Sequence, residues 1–139
     1  MTKRILVMGL PGAGKTTLAQ KLVERLEVTG KTVTWLNADN IRKEYNDWDF
    51  SLEGRLRQSK RMRSLADLSK TDYAICDFVA PLQEMRDIFS ADVTIWVNTL
   101  TEGRFSDTNK LFESPVKVDI TVISQDAGYW SKVIVDTLL

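Results

Sequence analysis

Five short apolar runs alternate with longer amphipathic segments along the chain. The runs are rich in β-branched and aromatic residues and cover residues 5–8, 32–36, 73–76, 93–97 and 120–123. Near-continuous apolar runs are typical of strands that are buried on both faces of a parallel sheet. Leu18, Leu22 and Leu26 follow the first run at helical spacing. The pattern predicts a doubly wound α/β fold, in which helices cover both faces of a five-stranded parallel sheet.

Two further helices and one loop are predicted in the second half of the chain. A helix is expected from Ser51 to about Ser69 and another from about Tyr129 to Leu138. The apolar residues at helical spacing in the first of these are Leu52, Leu56, Met62, Leu65 and Leu68, and the inner side of the second is Val133, Ile134 and Leu138. The segment from Glu102 to Pro115 is polar and weakly patterned, which predicts a mobile loop. Because no linker divides the chain, we expect a single domain over residues 1–139.

Composition limits the partners and the chemistry of the chain. Nineteen basic and nineteen acidic residues cancel, so neither nucleic acid nor a membrane is an expected partner. No apolar segment approaches the ~20 residues of a membrane span, and no secretory signal precedes the first strand, which favours a cytoplasmic location. The chain has no histidine, so carboxylates are left as general bases and metal ligands. Cys76, the only cysteine, lies in an apolar run and is expected to be buried.

A glycine-rich segment follows the first predicted strand. Residues 9–16, GLPGAGKT, match the phosphate-loop pattern G-x-x-x-x-G-K-[ST] and lie between an apolar strand and an amphipathic helix. This arrangement predicts the fold of P-loop NTPases and kinases, with ATP and Mg²⁺ as cofactors. Lys15 is expected between the β- and γ-phosphates as a catalytic residue, and Thr16 as a Mg²⁺ ligand. The predicted nucleotide-binding residues are Gly9, Gly12, Ala13, Gly14, Lys15, Thr16 and Thr17.

Two acidic residues lie close to the ends of predicted strands, at the sheet edge where doubly wound proteins bind ligands. Asp39 follows the second strand and is the candidate to orient or deprotonate an attacking hydroxyl and to hold the metal. Alternatively, Asp39 caps a helix that starts at Asn40. Asp77 closes the third strand, where an acidic residue would support Mg²⁺. Alternatively, Asp77 caps a helix that starts near Pro81.

Arginines and aromatic residues occur close together after the second strand. Arg42 and Arg55 are able to hold an anionic acceptor by paired guanidinium bonds, although a row of basic residues on the next helix also fits an exposed face. Gln58 shares a face with Arg55 because the two are three residues apart. Trp48 and Phe50 belong either to the core or to a surface on which a base stacks.

Four segments of the first 90 residues resemble motifs of the adenylylsulfate kinase (APS kinase) family. Residues 9–19 are similar to G-L-S-G-S-G-K-S-T-L-A, residues 36–42 to L-D-G-D-N-[IV]-R, residues 50–58 to F-S-x-x-D-R-x-x-N, and residues 78–87 to F-I-S-P-Y-x-x-x-R-D. The phosphate loop is shared by many kinases, whereas the second and third motifs are much more particular. The family uses Mg-ATP to phosphorylate the 3′-hydroxyl of adenosine 5′-phosphosulfate (APS).

The resemblance implies a role for each matched residue. Asp39 takes the position of the catalytic aspartate, and Phe50 that of one of two phenylalanines that sandwich the adenine of APS. Phe105 has the spacing of the second phenylalanine. The residues expected to bind the substrate are Arg42, Phe50, Arg55, Gln58, Phe78 and Phe105, and those expected to bind the metal are Thr16, Asp39 and Asp77.

The chain departs from the family in the lid over the active site. The family's D-P-K-G-L-Y segment has no counterpart between Arg104 and Phe105, which implies a shorter lid. Arg104 or Lys110 would then supply the lid charge to the transferred phosphoryl group. Asn37 stands where the family has the first aspartate of D-G-D.

An APS kinase-like phosphotransferase with APS as its small-molecule acceptor is therefore the expected function. One alternative is a P-loop kinase that acts on another hydroxyl, of a nucleoside, a sugar or a nucleic-acid 5′ end. The other is a nucleotide-binding module without catalysis. A homodimer is compatible with the sequence, which locates no apolar patch for subunit pairing.

Overall fold

A parallel sheet with helices on both faces forms the centre of the structure, as predicted. The computed structural model of the chain describes residues 1–101 and 106–139. Its strands are β1 (Lys3–Met8), β2 (Val33–Asn37), β3 (Tyr73–Asp77), β4 (Val93–Val97) and β5 (Ile120–Val122). Its helices are α1 (Lys15–Val28), α2 (Ala38–Tyr45), α3 (Leu52–Leu68), α4 (Gln83–Phe89), α5 (Ser106–Leu111) and α6 (Ala127–Leu138). The strand order is β2-β3-β1-β4-β5, and every pairing between these strands is parallel.

The central strand β1 is buried on both sides because successive side chains of a strand point to opposite faces. Ile5 and Val7 pack into a core with α1 and α6, whereas Leu6 and Met8 pack into a second core with α3 and α4. These four side chains have no exposed surface. The carboxyl end of β1, from which the phosphate loop starts, is therefore fixed by both cores.

The predicted helix after residue 51 has the predicted bounds. Ser51 is its N-cap, since the Ser51 hydroxyl accepts a hydrogen bond from Gly54 N at 3.2 Å, and Ser69 is its C-cap. Helix α6 starts two residues earlier than predicted, because the Asp126 carboxylate accepts a hydrogen bond from Tyr129 N and so caps a helix that begins at Ala127.

The prediction of a mobile loop from Glu102 to Pro115 is wrong for the described part of that segment. Helix α5 lies within it, and Phe112 directly after the helix stacks on Trp96 with ring centroids 6.4 Å apart. Glu113 N donates to Pro81 O at 2.7 Å. A helix of six residues is too short to show a periodic pattern, so the sequence did not reveal it.

The cysteine and the apolar helices of the described residues are considered next. Cys76 is fully buried on β3, and burial raises the pKa of its thiol. None of the described helices has both the length and the apolar character of a bilayer span.

Candidate active site

The phosphate loop, residues 9–14, joins β1 to α1 in a conformation that requires glycine. Gly9 has φ of 152°, and a Cβ atom there would lie 2.5 Å from Val97 O. Gly14 is the N-cap residue of α1 with φ of 104°. Its lack of a side chain leaves the first N–H groups of α1 without a side-chain cap. Such groups, together with the positive end of a helix, form a site for an anion.

Side chains from two other loops hold the phosphate loop in place. Thr99 Oγ1 donates to Ala13 O at 2.7 Å. Gln125 Nε2 donates to Gly12 O at 3.2 Å and to Ala13 O at 3.3 Å. Sequence reasoning missed both residues, although Thr99 follows β4 and Gln125 follows β5 at the same carboxyl edge of the sheet. The loop is therefore shaped before any ligand arrives.

Lys15 lies over this loop. Its Nζ atom donates to Leu10 O at 3.0 Å, so the ammonium group lies beside the loop backbone. Burial raises the pKa of Asp77, the acidic residue at the end of β3, and the positive charge of Lys15 opposes that rise.

Asn37 connects the phosphate loop to the acidic residues of the site. Its Nδ2 donates to Asp77 Oδ1 at 2.8 Å and makes a longer contact of 3.4 Å with Thr16 Oγ1. Its Oδ1 accepts a hydrogen bond from Asn40 N at 3.0 Å, which caps α2. Trp35 Nε1 donates to the other oxygen of Asp77 at 3.0 Å. Because an ionised carboxylate has no hydrogen to donate, an aspartate at position 37 would lose the bond to Asp77 and place a second negative charge beside it.

The two capping alternatives raised for the acidic residues are wrong. Asn37, not Asp39, is the N-cap of α2, and Asp39 lies in the first turn of that helix. Helix α4 begins at Gln83 with Leu82 at its N-cap position, so Asp77 caps nothing there. Both carboxylates instead line the cavity beside the phosphate loop.

Burial raises the pKa of Asp77 to about 6, against the hydrogen bond from Trp35 and the charge of Lys15. Its side chain, the Thr16 hydroxyl and Asp39 provide oxygen atoms, which are the ligands that Mg²⁺ prefers. In the part of the chain that the structure describes, no group of three or more histidine, cysteine, aspartate or glutamate side chains is placed to hold a metal. These residues therefore fit an ion whose remaining ligands come from phosphates and water.

The raised pKa of Asp77 predicts how stability depends on pH when nucleotide and Mg²⁺ are absent. An unfolded aspartate titrates near 3.8 and the folded one near 6, so the folded chain holds its proton more tightly and loses stability as pH rises through that window. The loss is about 3 kcal/mol. We expect the free energy of unfolding of Asp77→Asn minus that of wild type, measured with urea in EDTA, to rise by about 2–3 kcal/mol between pH 4 and pH 7. A stability difference that stays constant with pH would contradict this prediction.

One cavity joins the phosphate loop to the predicted acceptor residues. Its volume is about 920 Å³, near the upper end of the roughly 300–1,000 Å³ of small-molecule sites. Lys15 and Thr16 line one part of it, and Asp39, Phe50 and Arg55 line another. The structure thus brings these predicted donor and acceptor residues to one space.

Arg42 and Arg55 surround Phe50. The Cζ atom of Arg42 lies 4.3 Å from the centroid of the Phe50 ring, and that of Arg55 lies 5.5 Å from it. Arg42 is only 5% exposed, and its Nη1 donates to Asp47 O at 2.9 Å and to Asp49 O at 3.1 Å. Burial lowers the pKa of the Arg42 guanidinium, although the charge of Asp47 opposes this effect. Arg42 therefore holds the loop that carries Phe50 in addition to lining a small side pocket.

The remaining predicted acceptor residues differ in their surroundings. Gln58 is 3% exposed, donates to Ala38 O at 3.2 Å and lines the side pocket with Arg55, as their predicted common face requires. Phe78 is buried, packs edge-on against Phe89 and lines the main cavity. Phe105 and Arg104 lie outside the described residues, so their predicted roles stay predictions.

The basic row on α3 is partly exposed, and three of its arginines make ion pairs. Arg57 and Arg61 both pair with Asp47, at 2.8 and 3.0 Å, and Arg63 pairs with Asp67 at 2.9 Å. The first two pairs join α3 to the loop before it. The exposed face raised from the sequence is thus found for Arg57 and Lys60, whereas Arg61 and Arg63 are only partly exposed.

The parallel sheet, the phosphate loop and the adjoining carboxylates define a P-loop kinase fold. The sequence profile of the adenylylsulphate kinase family matches residues 1–99. The chain belongs to this family.

Individual proteins agree with this assignment. The probable adenylyl-sulfate kinase of Aeropyrum pernix is 37% identical over 83 residues, which are 58% of this chain and 45% of that protein. The adenylyl-sulfate kinase of Bacillus pumilus is 36% identical over 87 residues, 60% of this chain and 44% of that protein. The chain thus spans about half the length of the curated relatives that it matches.

A solved structure shows the same fold. It is that of the Mycobacterium tuberculosis APS kinase CysC in complex with AMPPNP and APS. The two chains superimpose with a TM-score of 0.83 at 19% sequence identity, over 99% of this chain and 97% of the other.

Proposed function

We propose that the chain is an ATP-dependent kinase that transfers the γ-phosphoryl group of ATP to the 3′-hydroxyl of APS. The observation that carries this proposal is the single cavity shared by the phosphate loop, Asp39 and the group of Phe50 and Arg55. Membership of the adenylylsulphate kinase family supports it. The complex of the M. tuberculosis enzyme with AMPPNP and APS supports the same pair of substrates.

The donor binds at the phosphate loop. Backbone N–H groups of the loop and the first turn of α1 hold the phosphate oxygens, and Lys15 leaves Leu10 O to lie between the β- and γ-phosphates. Thr16, Asp77 and Asp39 would hold Mg²⁺, whose charge offsets that of the phosphates. Asn37 keeps Thr16 and Asp77 in place for this purpose.

The acceptor binds at the other end of the cavity, with its base against Phe50 and its anionic groups near Arg55 and Arg42. Asp39 accepts the proton of the 3′-hydroxyl as the oxygen attacks the γ-phosphorus. The bond from this phosphorus to the β–γ bridging oxygen breaks, and ADP leaves. The products are ADP and 3′-phosphoadenosine 5′-phosphosulfate.

The proposal is tested by incubating the chain with γ-labelled Mg-ATP and a panel of acceptors. Labelled 3′-phosphoadenosine 5′-phosphosulfate is the expected product. Label on a nucleoside, a sugar or a nucleic-acid 5′-hydroxyl in its place would identify a different kinase. Tight ATP binding without transfer to any acceptor would identify a nucleotide-binding module.

Arg42→Lys is expected to weaken use of the acceptor more than use of ATP. Lysine keeps the charge but cannot bind the carbonyls of Asp47 and Asp49 with a planar guanidinium, so the loop that carries Phe50 loosens. We expect kcat/KM for the acceptor to fall about 10- to 100-fold, while KM for ATP changes less than about threefold.

Steady-state kinetics with each substrate varied in turn measure this effect. Arg25→Lys is the matched control, since Arg25 also binds a backbone carbonyl, that of Gly128, but does not line the cavity. A rise in KM for ATP as large as the effect on the acceptor would show that Arg42 serves the donor.

A further inference from the structure

The loop between α2 and α3, residues 46–51, is held by a dense set of polar contacts and is called the braced loop below. The Asp47 carboxylate accepts hydrogen bonds from Arg57 Nε at 2.8 Å and from Arg61 Nη2 at 3.0 Å. These bonds hold the pKa of Asp47 well below its usual range. Arg42 binds two carbonyl groups of the loop, and the Asp49 carboxylate accepts from Ser51 N at 2.9 Å. Three arginines thus hold the braced loop. Arg42 binds its backbone carbonyls, and Arg57 and Arg61 bind the Asp47 side chain.

This rigid loop holds two large aromatic side chains partly in solvent. Trp48 and Phe50 are each 51% exposed, and neither belongs to a core cluster of the described residues. Both line the cavity that contains Asp39 and the phosphate loop. Their alternative placement in the core, raised from the sequence, is therefore wrong.

A nearby aromatic residue shows that exposure alone does not explain this arrangement. Tyr45, at the end of α2, is 50% exposed, but the Cζ atom of Arg61 lies 4.3 Å from its ring centroid and the residue does not line the cavity. Trp48 differs from Tyr45 because it faces a space that is large enough for substrates. A fixed aromatic surface beside such a space binds a planar ring, since every base has a face on which it stacks.

We propose that Trp48 is a further specificity-determining residue of the acceptor site, where it adds a second aromatic surface for the base to that of Phe50, whose role the family resemblance already implies. This inference rests on the proposed function and deepens it, because it assigns recognition of the base to a loop that is already ordered. Binding of the base then loses little loop entropy. Acceptors that lack a base, such as sugar phosphates, bind weakly because both aromatic surfaces stay in water.

The test measures binding rather than turnover. The full chain is first saturated with Mg-ADP, so that added nucleotides reach only the acceptor end of the cavity. It is then titrated with APS, AMP, UMP and ribose 5-phosphate, with tryptophan fluorescence and calorimetry as readouts. Subtracting the Trp48→Phe signal from that of wild type isolates the emission of Trp48 from that of the other three tryptophans.

We expect the nucleotides, but not ribose 5-phosphate, to change the emission of Trp48. In calorimetry, Trp48→Ala is expected to bind APS about tenfold more weakly, whereas Trp48→Phe stays within about threefold of wild type because a ring remains. Tyr129→Ala, which removes an exposed ring of α6 that does not line the cavity, is the matched control and should bind APS as wild type does. Equal affinity of Trp48→Ala and wild type, or a change of emission with ribose 5-phosphate alone, would overturn the inference.

The outcomes separate this inference from the proposed function. If APS receives no phosphoryl group but the nucleotides still bind through Trp48, the proposed function fails and the base site stands. If APS is phosphorylated and Trp48→Ala has unchanged affinity and KM, the proposed function stands and the base site fails.

Discussion

Asp39→Asn is expected to lower phosphoryl transfer by about 10²–10⁴-fold, the usual contribution of a positioned general base. Asparagine has nearly the same shape but cannot accept the proton of the attacking hydroxyl. Because Asp39 lies in the first turn of α2 and does not cap it, the substitution leaves the helix and the phosphate loop intact. Affinity for ATP should stay nearly unchanged, because the amide oxygen of asparagine is still able to contact Mg²⁺ and the phosphate loop, Lys15 and Thr16 are untouched. Single-turnover rates and calorimetric titration with a non-hydrolysable ATP analogue measure the two quantities separately.

The matched control for this experiment is Glu44→Gln. Glu44 is an exposed acid on the same helix, but it does not line the cavity, so its substitution should leave the transfer rate unchanged. A loss of ATP affinity as large as the loss of rate in Asp39→Asn would assign Asp39 to donor binding and not to the acceptor hydroxyl.

Much of the fold could be predicted because its signals are local. Each strand contains a run of mainly apolar residues, and the observed bounds differ from the predicted ones by two residues at most. Helix α3 lies between two serines, with Ser51 as its N-cap and Ser69 as its C-cap. The phosphate loop was also predictable, since its conformation is dictated by its own glycines.

The support of the site was not predictable, because it depends on contacts between distant parts of the chain. Asn37 meets residues that are 21 and 40 positions away, and its replacement of an aspartate looked like a simple departure from the family. The structure gives the amide a function that a carboxylate cannot have. Gln125 likewise supports the phosphate loop from 113 positions away.

On the acceptor side, the partners of the arginines could be predicted only in part. The sequence indicated that Arg42 and Arg55 are close to Phe50, and the structure confirms that proximity. It did not indicate that Arg57 and Arg61 would converge on Asp47, because a row of charges on a helix gives no sign of its partners. Donor and acceptor ends are thus both held by polar side chains whose roles appear only after folding.

Lys15→Met is the second substitution with a large expected effect, and it should act on the donor as well as on the rate. Methionine keeps the unbranched shape of the side chain but removes the charge that lies between the β- and γ-phosphates in the proposed complex. Loss of one such electrostatic contact typically lowers the rate by about 10²–10³-fold. Since the ground-state phosphates also lose a cation, affinity for ATP should fall with it, unlike in Asp39→Asn.

The same single-turnover and titration assays separate these two effects of Lys15→Met. Lys21→Met is the matched control, since Lys21 is on the same helix but pairs with Glu24 in solvent and does not line the cavity. An unchanged transfer rate in Lys15→Met would mean that the phosphate loop does not hold the reacting phosphoryl group, and a lowered rate with full ATP affinity would mean that Lys15 acts only as transfer proceeds. The two variants together therefore locate the donor at one end of the cavity and the accepting hydroxyl at the other, which is the arrangement that phosphoryl transfer in line requires.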